Sequence, residues 1–310
     1  MSGIRKLERD FAQADIAALT SLLDQLSEED VMARFGLESR LEELQAKLAR
    51  MDDTPDAEPA SAALFFGGRP VVGTRGIETE FGGSAVAKFQ DIISKIMAHE
   101  AGGLGQRGVV PNKAASSLHI TNVVRGSFGF LLEEIHDQSD MLGAPLKQAI
   151  EETSRVLSAF GEPDEEEFRT AVEAIDQRVL NTTREFFDLM KVNGATLRVV
   201  AGDRDNSFGP DAVSRAAERA QSTSVEEVDE LVTGQLSGTL PEAHQFEFRR
   251  QEDGVVIRGK VAKSFTVDEL IRFNQQWVNQ SATASFKVNR VKRNGEVVRE
   301  QYVLMELSIR

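Results

Sequence analysis

The chain has 310 residues, 41% of them hydrophobic, a formal net charge of -14 and no cysteine. That is enough apolar chain for two or three packed units. The missing cysteine excludes disulfides, thiolate metal sites and cysteine nucleophiles, and the acidic balance argues against general electrostatic binding to nucleic acid. The opening MSGIRKLERDFAQ has no apolar signal-type core and no run reaches the length of a membrane span, so a cytoplasmic location without a membrane partner is expected. The charge is uneven. Residues 1–60 carry -7, 61–126 carry +3, 127–194 carry -9, 195–232 carry -4 and 233–310 carry +3. If an anionic ligand binds, the two basic segments are where it is expected.

Residues 3–51 read as helices. Ile4, Leu7 and Phe11 start an apolar stripe that Leu19, Leu22, Leu23 and Leu26 extend, and Ser27 followed by Glu28, Glu29 and Asp30 marks a second helix start. Leu37, Leu41, Leu44, Leu48 and Met51 then alternate spacings of four and three, the seam of a coiled coil over two heptads. The first four of these are the candidate self-association residues, and the alternative is an antiparallel helical hairpin that packs on its own domain. The acidic, proline-containing DDTPDAEPA at 52–60 reads as a linker.

A mixed segment follows. Ala62–Phe66 reads as a strand, and Pro70–Gly73 as its partner across a Gly67-Gly68 turn. Residues 84–100 read as an amphipathic helix opening at Gly82-Gly83-Ser84, where free backbone amides offer an anion site or, more simply, a turn. Leu118–Val124 and Phe128–Glu134 read as strands joined at Arg125, Gly126 and Ser127, and Gly129 implies a bulge or a close backbone approach. Residues 144–160 and 164–192 read as two long helices separated at Gly161-Glu162-Pro163. A short strand at 197–200, a helix opened by Pro210 and a polar boundary stretch at 221–230 come next.

Residues 231–310 are strand-rich. Five strands are expected, with hairpin turns at Asp253-Gly254 and Asn294-Gly295 and one helix over 267–278 capped by Thr266. That set suggests a small barrel, SH3-like or OB-like.

Strong catalytic signatures are missing. The sequence contains no phosphate-loop, dinucleotide-binding or serine-hydrolase motif. The four histidines have no ligand spacing. Glu133, Glu134, His136, Asp137 and Asp140 form an acidic cluster suited to a magnesium or manganese ion, or simply a solvated connection. Asp203 and Asp205 follow a strand end and carry a nuclease reading beside a plain loop reading. Ser127 with His119 is a remote nucleophile pair. In the last segment Lys287, Arg290, Lys292, Arg293 and Arg299 surround one hairpin. The first four are the candidate nucleic-acid-binding residues.

Two stretches, VVRGSFGFLLEE at 123–134 and VTGQLSGTLPEAHQFEF at 232–248 running into VVIRGKV at 255–261, resemble uncharacterised bacterial proteins of mobile-element and defence loci. The resemblance covers a minor part of the chain, brings no catalytic residues and implies a defence-related role.

The expected protein is α+β, with a helical N-terminal arm over 1–51, a central mixed α/β unit with long helices over 61–225 and a small C-terminal β-barrel over 226–310. The expected function is a non-enzymatic binding or assembly protein. It would be a homo-oligomer acting as sensor or scaffold in an anti-phage defence system, beside a protein effector, without cofactor or metal. The alternatives are a metal-dependent nuclease or phosphodiesterase, and a nucleic-acid-binding protein working through the barrel.

Overall fold

A computed structural model describes residues 4–27, 30–53, 59–105, 107–124, 128–135 and 143–309. The chain is α+β and divides into two compact units. The first takes in residues 1–163 and 185–217, the second 164–184 and 218–310. No helix among the described residues is long and apolar enough to cross a membrane.

The first unit centres on an antiparallel five-stranded sheet. Its strands are β1 (Ser61–Gly68), β4 (His119–Val124), β5 (Phe128–Glu133), β6 (Ala195–Ala201) and β7 (Arg204–Phe208), in the order β4-β5-β1-β6-β7. β1 sits in the middle and is buried on both faces from Ala62 to Phe66, which is why its sequence is a continuous apolar run rather than an alternation. On one face Phe66 meets Phe81 of α3 (Thr79–Glu100) edge-on at 5.5 Å, and α4 (Gly143–Gly161) packs on β1, β6 and β7.

The other face receives the root of a helical hairpin, α1 (Arg5–Gln25) and α2 (Val31–Asp53). Ile4 and Leu7 pack with Ala63, Phe65, Leu131 and Val200. Lys47 near the end of α2 reaches Glu8 near the start of α1 at 3.6 Å, so the two helices are antiparallel. Gly129 lies on this face, and a Cβ there would sit 2.5 Å from the Phe65 ring. Its glycine is a close approach, as the strand context suggests.

Several local expectations change. Pro70–Gly73 does not pair with β1, whose edges are taken by β5 and β6. Instead β2 (Val71–Val72) pairs with β3 (Gly76–Ile77) in a minute hairpin of its own. α3 starts at Thr79, so Gly82 and Gly83 lie inside a helix whose turns consume their amides, and no anion site opens there. The expected helix over 164–192 is two, α5 (Glu165–Glu173) and α6 (Gln177–Asn193). Asp164 caps α5 through the amides of Glu166 and Glu167, and Asp176 accepts from the Val179 amide to start α6. Two caps within one apolar stripe break it without a glycine or proline. α7 spans Pro210–Ser222. Ser127, the acids at 137 and 140 and the join at 125–127 lie outside the described residues, as does most of the 52–60 linker.

The second unit contains a closed barrel of β8 (Thr223–Leu240), β9 (Gln245–Arg250), β10 (Val256–Val261), β11 (Ser281–Arg293) and β12 (Glu296–Ile309). Around the barrel the order is β8-β9-β10-β12-β11. β10 and β12 are parallel, and α8 (Val267–Gln276) lies between β10 and β11 in the chain. Of the two expected barrel types this is the OB-type arrangement. Phe246, Phe248 and Phe286 fill the interior with Leu236, Leu270, Val288 and Leu304.

Thr266 caps α8 in a full capping box with Glu269. Asn294 (φ 51°) and Gly295 (φ 86°) take the positive φ values of the expected hairpin turn, whereas at Asp253-Gly254 only Gly254 does. The polar stretch at 221–230 is mostly strand. Its acids point outward from β8, where the cations of β11 answer them.

Candidate functional site

The β8–β11–β12 surface carries the cluster of cations noted above, and each is matched by a carboxylate. Lys287 reaches Glu227 at 3.1 Å and Lys292 reaches Glu226 at 2.6 Å. Arg290 lies between Glu230 and Glu300, 2.6 Å from the latter. Arg293 meets Glu165 at 2.8 Å and Arg299 meets Glu173 at 2.6 Å. Register sets three of these pairs: Lys287 stands opposite Asp229 and Lys292 opposite Ser224 on β8, one diagonal step from Glu227 and Glu226, and Arg290 stands opposite Glu300 on β12. Hydrogen bonds from Lys292 hold Glu226, and those from Arg290 hold Glu300, below the usual carboxylate range. Lys287, Arg290, Lys292 and Arg293 are thus brought together, but on a surface that neutralises itself.

A second feature of the barrel is less expected. β10 and β12 pair over three positions only, Gly259–Val261 against Tyr302–Leu304. Gly259 makes this closure tight, because a Cβ there would sit 2.0 Å from the Tyr302 carbonyl oxygen. Beyond it no ladder joins Val256–Arg258 to β12, and the wall opens as a groove of about 680 Å³. Thr239, Phe246, Arg258, Lys260, Glu300 and Tyr302 line it.

Arg258 is paired with Glu247 at 3.0 Å. Lys260 is exposed and forms no ion pair among the described residues. The Tyr302 hydroxyl donates to Glu300 at 2.9 Å, and its ring meets Phe286 edge-on at 5.8 Å. Burial, then the Glu300 carboxylate, pushes the Tyr302 phenol up to about 12, so it stays a neutral donor. The β8–β9 loop holds His244 at a φ of 46°, a conformation rare for residues with a side chain.

The first unit has its own cleft, of about 490 Å³, between the hairpin root and the sheet. Lys6, Arg9, Asp10, Lys147, Glu151 and Asp203 are among its lining. Lys6 donates to the Asp203 backbone carbonyl at 3.2 Å. Asp205 is held by Arg198 in two parallel hydrogen bonds of 2.8 and 2.7 Å, which lower its pKa. The two aspartates of the nuclease reading therefore have separate surroundings, a cleft and an arginine clamp. Among the described residues no group of three or more His, Asp or Glu is placed to hold a metal ion. Glu133 is buried against Thr121. His119 sits on the edge strand β4, and Ser127 lies outside the described residues.

Leu37, Leu41, Leu44 and Leu48 form the inward row of α2. Leu44 is buried and the other three are half-buried, while most of their helix neighbours are exposed. Within the chain the row of two heptads packs on α1, as the antiparallel-hairpin alternative expects. A 21-residue partner helix six residues upstream supplies an intramolecular mate first.

No family model, curated protein or solved structure matches this chain.

Proposed function

We propose that this is a non-enzymatic binding and assembly protein whose barrel takes a single-stranded nucleic acid along the groove between β10 and β12. The observation that carries the reading is the groove itself. It is an opened wall of an OB-type barrel, with the half-buried Tyr302 ring at its base and the exposed Lys260 on its rim. Such barrels bind strands by stacking bases on aromatics while cations track the backbone. The chain's net charge of -14 repels a polyanion in general, which confines binding to this local surface and favours short strands. The sensor or scaffold role that the resemblance implies would use such a site to report on foreign nucleic acid to a partner protein.

The test is fluorescence anisotropy of a labelled single-stranded oligonucleotide against the full chain, over a range of salt. Binding is expected to weaken with salt, and Lys260→Ala to weaken it further and flatten the salt slope by about 0.7 per lost phosphate contact. Lys292→Ala with Arg293→Ala is expected to leave it unchanged, because both cations are already paired. If the loss follows Lys292 and Arg293 instead, the hairpin is the site. No binding at low salt ends the reading.

A further inference from the structure

The free end of the helical hairpin displays apolar side chains that stay exposed among the described residues. Val31, Met32 and Phe35 on the first turns of α2 are 67, 85 and 70% exposed, and Leu22 on the last turns of α1 is 50% exposed. Their spacing is ordered. Met32 and Phe35 are three apart and Val31 and Phe35 four apart, so they share one face of α2. Scattered surface leucines are ordinary, but a group of large apolar residues at one end of a protruding element marks an interaction site. Methionine, flexible and polarisable, suits such a surface.

The surrounding charge identifies the partner. From Gln13 to Ala33 the sequence carries Asp15, Asp24, Glu28, Glu29 and Asp30 and no lysine, arginine or histidine. The first cation, Arg34, donates to the Leu26 carbonyl at 3.5 Å and lies 3.9 Å from Glu38. Among the described residues, the exposed Asp24 and Asp30 adjoin the apolar end, and its one cation, Arg34, is already engaged. A second copy would bring the same acidic stretch of sequence against this one, and an anionic lipid surface or a nucleic acid would be repelled. We infer that the hairpin end is the docking site for a basic amphipathic helix of another protein. That helix would lay its leucine- or phenylalanine-type face on Leu22, Val31, Met32 and Phe35, with flanking lysines or arginines facing Asp24 and Asp30. This is helix-on-helix recognition with charge setting the choice of partner, and it does not depend on what the barrel binds.

The experiment uses the full chain and a fluorescein-labelled synthetic amphipathic helix of leucine and lysine, with a leucine–glutamate helix of the same pattern as control. Anisotropy should show the basic peptide binding and the acidic one not. Phe35→Glu with Met32→Glu should weaken the basic peptide by about tenfold or more. Asp24→Asn with Asp30→Asn should weaken it by a smaller factor and reduce its salt dependence. All four positions are exposed, so thermal melting should be unchanged and the loss cannot be put down to misfolding. Lys260→Ala in the barrel should leave peptide affinity unchanged, which separates this site from the groove. The inference is overturned if the basic peptide does not bind, if both peptides bind alike, or if Phe35→Glu with Met32→Glu has no effect. It is equally overturned if light scattering finds a dimer that the double substitution dissolves, since the occupant would then be a second copy.

Discussion

The sheet of the first unit and the barrel of the second solve the same problem differently. The sheet is open and buries both faces, one under α3 and α4 and the other under the hairpin root. Its central strand β1 is apolar without interruption. The barrel closes on itself and buries one face, so β11 alternates strictly between interior and exterior from Ala282 to Val288. Its outer face is free to carry the ion-pair ladder, and its wall can be opened locally at β10 and β12 without exposing the whole core. A two-faced sheet leaves its binding chemistry to whatever covers it, whereas a closed barrel has an outer surface to spare.

The largest expected effect tests the barrel core. Phe286 is fully buried and contacts the rings of Phe246, Phe248 and Tyr302. Phe286→Ala should cost about 3–5 kcal/mol. The chain has one tryptophan, Trp277, stacked on Phe273 beside this core. Denaturant melts followed by its fluorescence should shift strongly, and an unshifted midpoint would contradict the packing.

Leu7→Ala probes the hairpin side of the sheet. Leu7 is buried with Phe65 and Leu131, and its truncation should cost about 2–5 kcal/mol. The loss should be read by circular dichroism and by hydrogen exchange in α1, with little change in the Trp277 signal.

Gly129→Ala places a Cβ against the Phe65 ring and should cost about 1–3 kcal/mol by overpacking. A trimmed partner, Phe65→Leu, should recover part of it. If Gly129→Ala is neutral, the close approach on this face is not real.

Two pH experiments follow from the ion pairs. Asp205 has its pKa lowered by Arg198, so its contribution to stability is present above the unfolded carboxylate value of about 3.9 and fades as pH falls through the lower folded value. Asp205→Asn should therefore be less stable than the parent at neutral pH and converge with it in acid. Tyr302 is the only tyrosine, and its pKa is raised to about 12. Its stabilisation is complete below the unfolded value of about 10 and is lost as pH rises toward 12. Titration of the phenolate absorbance should show a single ionisation near the higher value. A midpoint near 10 would mean that the phenol is exposed and unpaired.

The smallest effect belongs to the outer ladder. Lys292→Ala removes an exposed pair with Glu226 and should change stability by about 0–1 kcal/mol.

Much of this architecture was legible in the residues. Thr266 followed by Glu269 announced α8, Asn294-Gly295 announced the β11–β12 hairpin, and the five strands with one helix announced a barrel. Gly129 announced a close approach. These are local signals, each set by the backbone needs of a few neighbouring residues. What the sequence did not give was pairing. The heptad row at Leu37, Leu41, Leu44 and Leu48 looks the same whether its mate is another chain or α1. The cations at 287–293 look like a binding patch until β8 brings Glu226, Glu227 and Glu230 beside them. The stretch at 221–230 reads as a boundary because an outward strand face is polar, and only register reveals its partner. The groove had no sequence signal except Gly259, since it exists where a three-residue ladder stops. The sequence by itself determined most of the long helices, the barrel strands and their turns, and where charge accumulates, because those follow from spacing and composition. Only the tertiary structure decided which charges are neutralised, which apolar rows are covered and which are left showing, because each depends on residues distant in the chain.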